Sequence, residues 1–203
     1  DICKMKEGRA MISGIILASG FSRRMKREKL ILPIGGVPML ERVICAAMAS
    51  DLDEVLLVYN KEEIRALGER HGLSLVYNAH PENGQSAAVK AGVNHANQAS
   101  IGFMFLVGDQ PFVSADTINR LISVFNTEKS RIVAPVYGTQ RGNPVIFPSA
   151  LKQDLLALEG DQGGRAIMDQ MQSLIRLVAI QDEREATDID SVENYQRLNG
   201  SDA

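Results

Sequence analysis

The run Ser13-Gly14-Ile15-Ile16-Leu17-Ala18, followed at once by Ser19-Gly20, decides the fold. It carries no charge and no strict polar alternation, which fits a strand covered on both faces within a parallel sheet. Ser19 and Gly20 then break it into a loop. In open α/β sheets, ligands bind beyond the carboxyl ends of the strands, and this is the first such end in the chain. Charge concentrates immediately after it. Arg23, Arg24, Lys26, Arg27 and Lys29 place five cations in seven residues, offset within them only by Glu28.

Working outward, the same rhythm of short apolar runs and longer helical patterns continues to the end of the chain. Glu54 to Tyr59, Leu73 to Tyr77, Ile101 to Val107, Ile132 to Tyr137, Val145 to Phe147 and Ile175 to Ile180 read as strands. Pro38 to Ser50 reads as a helix with Pro at its first position and an apolar stripe of Met39, Leu40, Val43, Ile44 and Ala47. Gln85 to Ala99, Ser149 to Leu158, Gly164 to Ser173 and Ser191 to Leu198 read as further helices. Another begins at Ser114 as cap and runs through Leu121, Ile122 and Phe125. Such βαβα alternation predicts one α/β domain over residues 12–198 with a mostly parallel central sheet. The stretch from Val133 to Phe147 breaks the rhythm and predicts a small antiparallel element. Residues 1–11 form a lead-in, read as disordered or foreign to the native chain.

Composition narrows the function classes. The chain has 203 residues, net charge −3, 45% hydrophobic and 23% charged residues, which is ordinary globular usage. The mildly acidic balance argues against a general nucleic-acid binder, whose surface needs a basic excess. No apolar run approaches the roughly 18 residues of a spanning helix. Residues 1–10 lack the apolar core of a secretory signal, and two cysteines are too few for a disulfide framework, so a cytoplasmic enzyme is expected. Cys45 is expected to be a small apolar core residue of its helix. The three histidines are scattered, without metal-ligand spacing.

The first loop contains neither GxGxxG nor GxxxxGK[ST], so the dinucleotide and Walker A readings both fail. There remains a small-residue turn in which Gly20 can take positive φ and offer backbone N–H groups to an anion. Arg24 and Lys29 come next, within reach. A triphosphate needs that combination, with amides for geometry and an Arg fork plus a Lys point charge for neutralisation. A solvated basic helix face is the other reading of such a run. Placement directly after a buried strand favours the phosphate reading for Arg24 and Lys29, with Arg23, Lys26 and Arg27 as solvated neighbours.

The acids give the second half of the pattern. Ile101 to Val107 ends in Gly108-Asp109-Gln110-Pro111, where Asp109 is placed either to hold a hard cation such as Mg²⁺ or to form a turn before Pro111. In Asp188-Ile189-Asp190-Ser191-Val192-Glu193, Asp190 reads equally as a metal ligand or as half of a capping box with Glu193. Gln85 and Ser86 open a helix, either to read a nucleobase or sugar or simply as caps. Arg141-Gly142-Asn143-Pro144 is a turn whose Arg suits an acceptor phosphate, and Gly160-Asp161-Gln162-Gly163-Gly164-Arg165 is another Gly–Arg loop.

Taken in order, these segments resemble the MobA-like nucleotidyltransferase family, most closely its molybdenum cofactor cytidylyltransferases. The family's opening motif LAAGxSxRMGxxK is met from Leu17 to Lys29, its GQS at Gly84 to Ser86 and its GDQP at Gly108 to Pro111. RGNP stands at Arg141 to Pro144, the GDxG-R loop at Gly160 to Arg165 and DIDTPEDY at Asp188 to Tyr195. The chain departs from these motifs at Ser19 for Ala, Lys26 for Gly and Ser191-Val192 for Thr-Pro. The resemblance implies a Rossmann-like three-layer αβα fold. It implies binding of CTP and Mg²⁺ and transfer of CMP to molybdopterin, the organic part of the molybdenum cofactor, with release of pyrophosphate. It places Arg24 and Lys29 on the triphosphate, and Asp109 and Asp190 on Mg²⁺. Leu17, Ala18, Ser19, Gly20, Gln85 and Ser86 would lie in the nucleotide pocket, with Asn60 and Asn78 on the base side. Gln110, Arg141 and Asn143 would face the acceptor, and a molybdenum hydroxylase would be the client.

An acceptor phosphate is already ionised at neutral pH, so this chemistry needs positioning and charge stabilisation but no general base. Alternatives are GTP in place of CTP, a sugar-phosphate acceptor, or a carrier that holds and inserts finished cofactor without catalysis. Ser19, where guanylyltransferases carry a second Gly, and the GQS and DQP motifs lean towards the cytidylyl branch.

Overall fold

A computed structural model describes residues 11–20, 28–189 and 192–200 of the chain. The expected strand after the lead-in is β1 (Ile12–Ala18). It is followed by a short hairpin, β2 (Pro33–Ile34) and β3 (Val37–Pro38), and by α1 (Met39–Met48). Then come β4 (Glu54–Tyr59), α2 (Glu62–Arg70), β5 (Ser74–Tyr77), α3 (Gln85–His95), β6 (Gly102–Val107) and α4 (Ala115–Thr127). The second half adds β7 (Ile132–Tyr137), β8 (Gln140–Arg141), β9 (Val145–Pro148), α5 (Lys152–Ala157), α6 (Gly164–Gln170), β10 (Ile175–Ile180) and α7 (Val192–Gly200).

The main sheet has the order β10-β7-β9-β6-β1-β4-β5, with β8 paired to β7. β1 pairs in parallel with β4 on one side and β6 on the other, so the decisive strand sits inside the sheet. β9 runs antiparallel to both β6 and β7, which is the break in rhythm expected between Val133 and Phe147. Pleating explains the uncharged runs. Ile12 and Ile16 of β1, with Met104 and Leu106 of β6, point to the face packed by α1, α2 and α4. Ile15, Phe103 and Phe105 point to the opposite face, packed by α3, α5 and α6. Both faces are apolar because both are covered, giving three αβα layers.

The structure differs from the sequence reading at two points and settles the turn at Gly20. Cys45 is exposed, because the stripe of Met39, Leu40, Val43, Ile44 and Ala47 takes the core-facing side of α1 and Cys45 falls outside it. Gly20 does not have positive φ, and a Cβ built on it meets nothing within 4 Å, so its turn needs no left-handed residue. The helices after Gln85, Ser149 and Gly164 are shorter than read: α3 ends at His95, and 3-10 turns fill 149–151 and 172–174. The sequence reading also lacked α2, which buries only Ile64, Leu67 and Gly68 and is charged at every other position but Ala66.

Candidate functional site

The C-terminal ends of β1 and β6 lie side by side, held beyond the ladder by the Gly108 N–H donating to the Leu17 carbonyl at 3.2 Å. They open into a cavity of about 380 Å³. Leu17, Ala18, Ser19, Gly20, Gln85, Lys29 and Asp109 all line it, which brings together residues separated by up to 92 positions. Lys29 rides on a 3-10 turn over 29–31, and its Nζ stands 2.7 Å from Asp109 Oδ2. Both side chains are largely covered, at 16% and 23% exposure, so the pair lies at the floor of the cavity and not on an open surface.

Glu28 fixes this arrangement and was missed as a site residue by sequence reasoning. Its carboxylate, 8% exposed, accepts from the Leu30 N–H at 3.3 Å and pairs with Lys61 at the entrance to α2. The signal was present as the lone acid inside the basic run. Asp161 also lines the cavity unanticipated, brought there by the Gly160–Arg165 loop. That loop is pressed onto the start of α3, where the Ser86 N–H donates to the Gly160 carbonyl at 3.1 Å. Gly84 permits it: with φ at 77°, a Cβ there would come within 2.6 Å of the Gly160 carbonyl.

The remaining nucleotide-side candidates stand elsewhere. Asn78 is buried and donates from Nδ2 to Ser19 Oγ at 2.9 Å, bracing the end of β1 from behind. Asn60 Oδ1 is buried with no hydrogen-bond partner among the described residues, and neither asparagine lines the cavity. Ser86 faces away, its hydroxyl donating to the Asn83 carbonyl at 3.3 Å. Arg24 and Asp190 lie outside the described residues, as do Arg23, Lys26 and Arg27.

A second cavity, of about 730 Å³, adjoins the first and shares Leu17, Gln85 and Val107 with it. Gln110, Arg141 and Asn143 line it, as the acceptor reading expects. Gln110 is buried and donates from Nε2 to Asp188 Oδ1 at 2.8 Å. The acid-rich segment carrying Asp188 is tied down twice. The Ile189 N–H donates to the Asp109 carbonyl at 3.1 Å, and buried Glu185 accepts from Ser114 Oγ at 2.9 Å at the α4 cap. Asn143 is set by Tyr137, whose phenol donates to its carbonyl at 2.9 Å. Burial pushes the Tyr137 phenol well above its usual range, and the Glu185 and Asp182 carboxylates add to the rise.

Two adjoining cavities at the carboxyl ends of a mostly parallel sheet, one with a cation–carboxylate pair at its floor, define an α/β enzyme scaffold for a charged ligand and a second substrate. The profile of the MobA-like NTP transferase domain matches residues 14–174, and the chain belongs to that family of nucleotidyltransferases. The purine catabolism protein PucB of Bacillus subtilis (strain 168) is 30% identical over 198 residues, covering 91% of this chain and 94% of that protein. A molybdenum cofactor guanylyltransferase of Rhodobacter capsulatus is 38% identical over 119 residues, covering 54% of this chain and 57% of that protein. The crystal structure of Rv0371c from Mycobacterium tuberculosis H37Rv superposes with a TM-score of 0.85 at 25% identity, covering 95% of this chain and 98% of that one. Among the described residues no helix is long and apolar enough to cross a membrane.

Proposed function

We propose that the protein transfers CMP from CTP to molybdopterin, releasing pyrophosphate, in a Mg²⁺-dependent reaction in the cytoplasm that supplies a molybdenum hydroxylase. The observation that carries this reading is the join between the cavities. A nucleotide laid over β1 and an acceptor in the second cavity meet at Leu17, Gln85 and Val107, beside the Lys29–Asp109 pair. Asp109 fits Mg²⁺, which takes oxygen ligands and is commonly held by one or two carboxylates plus substrate phosphates. Among the described residues no group of three or more His, Cys, Asp or Glu offers a protein-only cage. Asp109, joined by Asp190, would hold the ion, which when bound would supply positive charge to offset the phosphates.

The chain's own groups supply the rest. Lys29 leaves its carboxylate partner for the triphosphate and stabilises the departing pyrophosphate, with Arg24 as the second cation in this role. Gln110, Arg141 and Asn143 orient the acceptor so that its phosphate oxygen attacks the α-phosphorus in line. A preorganised charge partner of this kind is worth about 10²-fold or more in turnover. The cytidylyl choice rests on Ser19 and on the GQS and DQP motifs. GTP is the second reading, favoured by the guanylyltransferase relative. Measuring pyrophosphate release with each of the four NTPs and molybdopterin tests both. CTP-dependent release is expected, and release with GTP alone replaces the cytidylyl assignment. Tight binding of finished cofactor with no release from any NTP overturns the transferase reading in favour of a carrier.

A further inference from the structure

We propose that Lys61, which lines neither cavity, is a positioning residue of the nucleotide site: its pairing with Glu28 holds the turn that carries Lys29 and cancels a carboxylate facing the triphosphate. The inference rests on the reading of the first cavity as the nucleotide site. Among the described residues, the lining of that cavity holds three carboxylates, Glu28, Asp109 and Asp161, against one cation, Lys29. A polyanion settles against such a wall only if the acids are neutralised. Asp109 is met by Lys29 from within the cavity. Glu28 is met from outside it, by Lys61.

Lys61 stands where α2 gains nothing from it. It follows β4 at the cap position of α2, makes no side-chain cap bond there, and places a cation at the positive end of the helix dipole. Its acidic neighbour Glu62 pairs with Arg65 at 3.4 Å. A residue that breaks a local rule in this way is explained by what it meets across the fold. Three consecutive residues anchor the turn at three points. Glu28 reaches Lys61 beyond β4, Lys29 reaches Asp109 beyond β6, and Leu30 is buried against Gly108, where a Cβ would come within 3.3 Å of its side chain. Since β1 lies between β4 and β6, the turn is moored on both sides of the strand end over which the nucleotide is laid. The Lys61 ammonium thus acts on the triphosphate through Glu28, by fixing where the turn sits and by removing one negative charge from its surroundings.

The test is equilibrium binding to the full chain by calorimetry, with CTP, GTP, CMP and GMP as probes, so that it does not depend on turnover. Lys61 is 33% exposed and Glu28 8%, which puts the pair between a screened surface pair and a buried one. Lys61→Met is therefore expected to raise the dissociation constant of the triphosphate that the wild type binds about tenfold. The matching monophosphate, too short to reach the Lys29 turn, should bind nearly as before. Adding Glu28→Gln to Lys61→Met restores the affinity, because the amide still accepts from the Leu30 N–H but carries no charge. Lys61→Arg recovers most of the loss. A merely structural role would weaken both nucleotides alike and leave the double variant at least as impaired as the single one. Either result overturns the inference, as does an unchanged triphosphate dissociation constant in Lys61→Met. A wild type that binds neither triphosphate overturns it together with the nucleotide reading of the cavity. The expected binding differences without pyrophosphate release overturn only the transferase reading. Lys61→Gln carries the same tests if the Met variant fails to fold.

Discussion

The two ends of the central sheet use similar side chains and reach opposite results. At the amino ends of the strands, Asp53 accepts from the Ile12 N–H at 2.9 Å. Glu54 takes the Ser13 hydroxyl at 2.6 Å and the Asn97 N–H at 3.0 Å, and Ser13 also meets buried Ser100. Those carboxylates are bound to the protein's own backbone and hydroxyls. At the carboxyl ends, Asp109 is met by Lys29 at the floor of a cavity and Asp188 by the Gln110 amide. Backbone partners cannot leave without unfolding, whereas the end of a lysine can swing to a phosphate. One end closes the fold, and the other holds polar groups that a ligand can reclaim.

Substitutions at each end break or sharpen that contrast. The largest effect is expected from Lys29→Ala or Asp109→Asn. Each should cut turnover about 10²-fold or more with little change in the thermal midpoint. Near-native pyrophosphate release by either would remove the pair from the mechanism. At the other end, Glu54→Ala leaves the buried Ser13 hydroxyl and the Asn97 N–H short of their acceptor. It should cost about 2 kcal/mol in urea unfolding while leaving KM for the nucleotide unchanged. A kinetic defect without a stability loss would erase the distinction between the ends.

Tyr137→Phe tests the brace behind Asn143 and should cost about 1 kcal/mol. It also has a pH signature. The phenol's value is raised in the folded state, so its contribution is fully present below the ordinary tyrosine value near 10 and is lost as pH rises above it. Alkaline unfolding of the wild type should therefore steepen above pH about 10, and less so in the variant. The smallest effect belongs to Arg184→Ala. Arg184 donates to the Asp182 carboxylate and holds it below its usual value, but both groups stand in solvent. That coupling favours the fold above the unfolded aspartate value and fades as pH falls through the lowered one. Solvent and salt screen it, so thermal scans from pH 2 to 7 should scarcely separate variant from wild type. A clear acid-side difference would mean that the segment carrying Asp188 depends on this surface pair.

The contrast also marks how much was legible in the sequence. β1, β4, β7 and β10 stand at or within one residue of their expected bounds; for β1, β4 and β7 this is because a strand inside a sheet covered on both faces is predominantly apolar, whereas β10 is an edge strand with Arg176, Leu177 and Ala179 exposed. The Ser114 cap appears as read, its hydroxyl accepting from the Thr117 N–H. α2 was illegible because three buried residues in a charged nonapeptide leave too narrow a stripe. Lys29 and Asp109 were legible as types placed at strand ends. Glu28 and Asp161 were not, since a carboxylate in a basic run or a glycine loop looks solvated until something packs against it.

The sequence by itself determined the αβα layering, the strand ends proposed to carry ligand chemistry and the family, since each is written in local residue order and motif spacing. Tertiary structure decided which charges meet. It put Lys29 on Asp109, gave Asp169 to Arg141 and left Arg165 facing the second cavity. It also turned Asn78 and Ser86 into braces. The physical reason is range. Periodicity and capping act over a few residues, whereas an ion pair forms only after folding brings distant side chains within about 4 Å.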